Sequence, residues 1–142
     1  MGIAYRCKKE LRITIVVWDG TVTFSQWLEN TNKLSSDPDF ALTSMQVVDL
    51  RFASIDPAVG EKEFKEIIDI LGKKKEMFFG RKVAVIADEE FGRATVFKHM
   101  GESLGASLIV FNDLLIACHW LGINILEVEK DIEGLRTQLR KA

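Results

Sequence analysis

The sequence predicts a single α/β domain: a mixed, mostly parallel β-sheet that opens with an antiparallel hairpin and is packed by helices. Three observations predict it. Apolar residues alternate with period two near the N-terminus and later form short unbroken runs, as strands buried on one face and then on both faces do. Between these runs, apolar residues recur every three or four positions, as on one side of a helix. The 142 residues are 47% hydrophobic and 28% charged with only 2 prolines, the composition of one globular domain and not of a disordered, collagenous or rod-like chain.

Residues 3–7 read as a short strand, and Lys8, Lys9 and Glu10 leave room only for a hairpin connection. In the second strand Leu11, Ile13, Ile15 and Val17 alternate with Arg12, Thr14 and Val16, and Asp19-Gly20 is expected to end it. Thr23 and Gln26 form a capping box for a helix whose stripe is Phe24, Trp27, Leu28, Thr31 and Leu34. Asp37-Pro38 stops that helix, because the residue before a proline avoids helical geometry. Residues 45–50, with Val47 and Val48, read as a buried parallel strand. Asp56-Pro57 reads as a cap followed by a first-turn proline; Phe64, Ile67, Ile68 and Leu71 give the next helix its stripe and Gly72 its stop.

The run 82–87 is the clearest buried strand. A helix over about 92–104 turns Phe97, Met100 and Leu104 inward and ends at Gly105, and 106–111 is the last strand. Asn112 or Asp113 caps a short helix that Gly122 breaks. Asn124 caps a C-terminal helix over about 124–141, in which Ile125, Val128, Ile132, Leu135 and Leu139 are spaced 3, 4, 3 and 4. That seam packs either on the domain's own sheet or against a second subunit as a homodimer. The order β-β-α-β-α-β-α-β-α-α requires a mostly parallel sheet, with residues 1–142 as one domain.

Charge and missing motifs exclude several functions. Lys and Arg number 19 against 21 Asp and Glu, so no basic surplus points to nucleic acid. No apolar run reaches the ~18–20 residues of a membrane span, and an N-terminus with Arg6, Lys8 and Lys9 in a strand-like segment does not read as a signal peptide. Cys7 and Cys118 lie far apart with no CxxC or zinc spacing, and are expected to be reduced core thiols of a cytoplasmic protein. His99 is read as a helix-surface residue and His119 as a neighbour of the packed Trp120-Leu121; neither has a metal-ligand partner at the right spacing. Neighbours Cys118 and His119 point about 100° apart on a helix, a poor nucleophile–base pair. With no GxSxG elbow, phosphate loop or GxGxxG turn, no catalytic residue, metal or cofactor is expected.

What remains are polar residues at the carboxyl ends of strands, where parallel sheets place ligands. Asp49 lies at one such end and Asp88, with Glu89 and Glu90, at another; each is expected to be solvated or to form a cap, and Arg51 is expected to pair with Asp49 rather than bind a ligand. Gly92-Arg93, at a helix start after a strand, is the best candidate anion site. Residues 72–82 combine five cations with Met77, Phe78 and Phe79; they read as a lysine-rich helix end with the apolar three folded onto the core, or as a patch for an anionic surface.

Larger motifs carry a resemblance. The second strand runs into Gly20-Thr21-Val22-Thr23 and a helix, followed by Asp37-Pro38-Asp39-Phe40 and Val48-Asp49-Leu50-Arg51-Phe52-Ala53. Later come Val83-Ala84-Val85-Ile86-Ala87, Phe91-Gly92-Arg93-Ala94, and Val110-Phe111 followed by Ala117-Cys118-His119-Trp120-Leu121. Across about residues 5 to 121 this arrangement resembles the bacterial SpoIIAA-like family, whose fold is akin to STAS (anti-sigma-factor antagonist) domains. The resemblance implies a mixed sheet backed by helices, a non-catalytic module, and fold kinship with CRAL-TRIO lipid carriers. In the antagonist branch a serine in Asp-Ser-x-Gly at a helix start is phosphorylated, which changes partner binding through added charge. The corresponding stretch here reads Ala53-Ser54-Ile55-Asp56-Pro57-Ala58-Val59-Gly60, without that motif, and Ser54 is expected only to shape the turn.

The functional expectation is a non-enzymatic STAS-like module that binds a regulatory protein partner through the surface around residues 51–57. The alternative is a carrier or sensor of a small apolar or anionic, lipid-like ligand held between helices and sheet. A third reading is an enzyme using Asp49 and Asp88. The candidate binding residues are Asp49, Arg51, Ser54, Asp88, Gly92 and Arg93.

Overall fold

The computed structural model describes residues 2–141. Strand β1 (Gly2–Lys8) pairs antiparallel with β2 (Ile13–Val22) across a single 3-10 turn at Lys9–Leu11. Then follow α1 (Phe24–Ser35), the one-turn helix α2 (Pro38–Ala41), β3 (Met45–Ile55), α3 (Glu61–Gly72), the one-turn helix α4 (Lys75–Phe78), β4 (Lys82–Ile86), α5 (Phe91–Met100), β5 (Ser107–Phe111), α6 (Leu114–Leu121) and α7 (Ile125–Lys141). The sheet order is β1-β2-β3-β4-β5, with every pair after the hairpin parallel. The protein is an α/β domain built on a five-stranded mixed sheet.

Strand order explains the layers. Each parallel connection steps one strand onward in the same direction, and such crossovers are right-handed, so α1, α3 and α5 land on one face. They pack there with Val16, Trp18, Leu50, Val83 and Val85. Helices α6 and α7, which follow the last strand, cover the other face over Ile13, Ile15, Val17, Val47, Ala84 and Ile86. The period-two alternation of β2 therefore feeds two cores, and its intervening Thr14 is also fully buried, bonded to Thr43 at 2.8 Å. The α7 stripe Val128, Ile132, Leu135 and Leu139 is buried against the chain's own sheet. Asp131, on the same helix, accepts from Arg6 and Lys8 of β1 at 2.7 and 2.8 Å. Burial alone would raise its carboxyl pKa, but the hydrogen bonds from Lys8 and Arg6 outweigh that and hold it below the usual range.

Local signals account for most boundaries. The Thr23–Gln26 capping box forms with both bonds present, Asp113 caps α6 by accepting from Ile116, and Asn124 accepts from Leu126 at the start of α7. Other boundaries differ from expectation. Strand β2 runs through Asp19-Gly20 to Val22, because β3 continues alongside it as far as Ile55. Asp56-Pro57 does not open α3; Asp56 accepts from Ala58 in a turn, and the helix begins at Glu61 after Gly60, whose N–H donates to Glu63. Asp37-Pro38 ends α1 and starts α2, with Asp37 accepting from Asp39. The helix expected to reach residue 104 ends at Met100, and Glu102–Leu104 is a 3-10 turn.

Both cysteines are free thiols on opposite faces of the sheet, and burial raises both above their ordinary pKa, so neither is an activated nucleophile. No helix among the described residues is long and apolar enough to cross a membrane. In the 72–82 segment Phe78 is buried against Phe40 at 5.9 Å between ring centres, whereas Phe79 stays 75% exposed. Phe79 lies over Gly105, which has φ +80° and whose added Cβ would meet Phe79 Cδ2 at 2.7 Å. Gly105→Ala should therefore destabilise the fold by about 1–2 kcal/mol from the left-handed backbone alone, plus a steric part. In urea unfolding, Phe79→Ala in the same chain should recover only the steric part; a neutral Gly105→Ala would contradict this geometry.

Candidate functional site

The polar candidates converge at the carboxyl edge of β2 and β3 through a β-bulge. Val17 pairs with Asp49 but Asp19 pairs with Phe52, so three steps of β3 oppose two of β2. The slip reverses the alternation, a known use of bulges. Asp49 and Phe52 both face α7, while Leu50 and Ala53 join the opposite core.

Asp49 is not solvated as expected but fully buried, because Arg136 of α7 covers it, and it accepts four hydrogen bonds: from Arg51 N, Nε and Nη2, each at 3.0 Å, and from Arg136 Nη2 at 2.8 Å. Buried Asp19 accepts from Arg140 Nε and Nη2 at 3.1 and 3.0 Å, with Arg136 Nε 3.7 Å away. Arg136 thus bridges both carboxylates, and its guanidinium also lies 4.3 Å from the centre of the Phe52 ring. The hydrogen bond to Asp49 raises the Arg51 pKa against the opposing effect of burial; Asp88 and Glu129 add smaller contributions in the same direction. The structure therefore brings Asp49, Arg51 and Asp88 to one edge. Asp88 is exposed, whereas Asp49 has its lone pairs occupied by donors and offers neither a general base nor a metal ligand. Among the described residues, no group of three or more His, Cys, Asp or Glu is placed to hold a metal ion. An open groove of about 450 Å³ runs beside this network, between Arg51 and Phe52 and the α7 residues Glu129, Glu133, Arg136 and Arg140.

The Arg93 side chain is not available to an anion. Gly92 is exposed in the first turn of α5, but all five guanidinium N–H donors of Arg93 are used within the fold. Nε and Nη2 donate to buried Glu90; Nη1 donates to the carbonyls of Asp56 and Val59; Nη2 also donates to that of Ile55. Glu90 in turn accepts from Ile55 N at 2.8 Å. This pair locks the loop between β3 and α3, leaving no guanidinium N–H for a ligand. Ser54 is exposed inside β3, paired in register with Thr21, and so does not shape a turn as expected. His99 and His119 are both exposed, and among the described residues the His99 ring nitrogen meets Glu102, at 3.1 Å.

A second region lies on the other face. Between the sheet and α1, α3 and α5 is a cavity of about 210 Å³, walled by Trp18, Trp27, Val48, Phe64, Phe97 and Leu108 among others. Trp27 is its aromatic hub, with ring centres 5.5 Å from Trp18, 5.7 Å from Phe64 and 5.4 Å from Phe97. Because of this space no residue of α5 is fully buried, and Val48, on the central strand, is only partly so. Asn30, Gln46 and Lys98, with Thr31, Ser35, Arg93 and Glu102, are the polar residues of a mainly apolar wall. Sequence periodicity identified these apolar residues as core; it carried no signal that their packing leaves room.

Fold and site together define a class: an α/β mixed-sheet domain with an ion-paired carboxyl edge on one face and an apolar cavity on the other. Comparison with known proteins gives no match to a family model, to a curated protein or to a solved structure.

Proposed function

We propose that this domain is a non-enzymatic binding module that holds one small, largely apolar molecule between its sheet and the α1, α3 and α5 layer. The cavity carries this reading. Protein interiors are close-packed, with few voids larger than a water molecule, whereas this space, partly open to solvent, is about 210 Å³ and mostly aromatic and aliphatic. An engineered apolar cavity of about 150 Å³ stays dry and binds benzene. The resemblance to the SpoIIAA-like family and its kinship with lipid carriers agree with this reading. Native mass spectrometry of the purified protein, with thermal unfolding in added 1-octanol, tests it. Octanol should raise the midpoint saturably, and Ala94→Leu, which fills the cavity, should abolish that shift while the protein stays folded. No retained molecule and no saturable shift would reject the reading.

A second reading has its own observation. Phe52, 56% exposed, projects from β3 between Arg136 and Arg140, and Ser54 and Pro57 are exposed close by. An accessible aromatic flanked by guanidiniums suits a protein-binding hot spot, as expected for a STAS-like regulatory module. A partner cross-linked in cells should be lost with Phe52→Asp and kept with the distant Leu126→Asp; equal recovery by both would reject this surface.

A further inference from the structure

Among the described residues five charged side chains are buried, and four have a partner of opposite charge. Asp19 and Asp49 meet arginines of β3 and α7, Glu90 meets Arg93, and Asp131 meets Arg6 and Lys8. The fifth, Arg81, is only 3% exposed and forms no ion pair among the described residues. Its Nη1 donates to the Thr43 carbonyl and its Nη2 to the Thr43 hydroxyl, both at 2.6 Å, and its Nε donates to Gln46 Oε1 at 3.3 Å. The guanidinium lies 3.8 Å from the centre of the Phe40 ring. Burial pushes its pKa down to about 10, so it remains charged at neutral pH. A buried charge held only by neutral acceptors is costly, and an opposing charge nearby relieves that cost.

Two of the groups touching Arg81, Gln46 and Phe40, line the cavity. Gln46 stands on the central strand beneath the helical layer, where an apolar residue is the ordinary choice. Arg81 can only donate, so the Gln46 oxygen must face it, which fixes the amide orientation. Its Nε2 is then a donor with no hydrogen-bond partner among the described residues. The cavity therefore has one wall position that combines a free amide donor with a buried positive charge directly behind it.

We propose that the molecule held in the cavity is an apolar carboxylate whose anionic group sits at Gln46, with Arg81 as the balancing charge. The proposal rests on the cavity reading above and names the ligand class. Scaling from the benzene-sized cavity of about 150 Å³, the space suits a body of about eight carbons, either an alkyl chain or one ring with a short tail.

The experiment compares matched acids and alcohols by isothermal titration at neutral pH: octanoate with 1-octanol, and 3-phenylpropanoate with 3-phenylpropanol. The native chain should bind the acid of at least one pair about tenfold more tightly, as a charge-assisted hydrogen bond allows; which pair it prefers separates an alkyl from an aryl body. Gln46→Glu supplies Arg81 with an internal counter-charge, so it should keep the fold, raise the unfolding midpoint and abolish the preference for acids while alcohols still bind. Alcohols binding as tightly as acids in the native chain would overturn the proposal and leave the cavity reading standing. Acid preference persisting in Gln46→Glu would also overturn it. Failure of all four compounds to bind would remove the cavity reading and the proposal with it.

Discussion

Asp49→Asn should destabilise the domain by about 3–5 kcal/mol, the usual cost of breaking a buried ion pair by removing one partner. Asp49 is fully buried and accepts from Arg51 and Arg136 together. An amide in its place turns at least one N–H toward a guanidinium and leaves Arg136, whose side chain is 11% exposed, with Asp19 at 3.7 Å from Nε as its remaining carboxylate. Urea unfolding measures the loss, with Glu129→Gln on the same groove as a surface control expected within about 0.5 kcal/mol of the native chain. Removing both partners should be milder: Asp49→Leu with Arg136→Met should recover most of the loss, because apolar replacement of a whole buried pair is often neutral or better. A loss below about 1 kcal/mol for Asp49→Asn would mean that water reaches the network and screens it.

Arg93→Ala should cost about 2–3 kcal/mol and should act locally as well as globally, since hydrogen bonds to charged groups contribute about 1.5–3 kcal/mol each and this side chain remains partly exposed. It leaves buried Glu90 without its cation and strips donors from the Ile55, Asp56 and Val59 carbonyls. Hydrogen exchange should quicken first at the amides of Ile55 and Val59, which bound the freed loop. Arg93→Lys should rescue little, because one ammonium cannot span acceptors that a planar five-donor fork reaches at once. Unchanged exchange in that loop would show that backbone turns, and not Arg93, hold it in place.

Local chemistry made part of this fold legible. The Thr23–Gln26 box, the caps at Asp113 and Asn124, and the α7 stripe each involve residues a few positions apart, so their geometry is set by helix pitch and side-chain reach. The pairing of Asp49 with Arg51 was readable for the same reason. The end of β3 was not. Residues 51–55 alternate too weakly to distinguish a turn from a strand, and their pairing with the end of β2 decides for strand. Asp56-Pro57 carries a sound helix-start signal, but Gly60 and Glu63 form a capping arrangement one turn later. The full engagement of the Arg93 side chain is not legible either, because its five acceptors, mostly carbonyls of a loop more than thirty residues earlier, leave no trace in residue type.

The sequence by itself determined the class of fold, the division into strands and helices, and which residues are apolar enough to form two cores, because periodicity and capping depend on near neighbours along the chain. Only the tertiary structure decided which polar residues act together. Arg136 and Arg140 reach Asp49 and Asp19 across 87 and 121 residues, and the bulge that turns Phe52 toward them exists only once β2 and β3 have paired. The cavity and the unpaired charge of Arg81 behind Gln46 also arise from that packing: free volume and electrostatic balance are properties of side chains brought together in space.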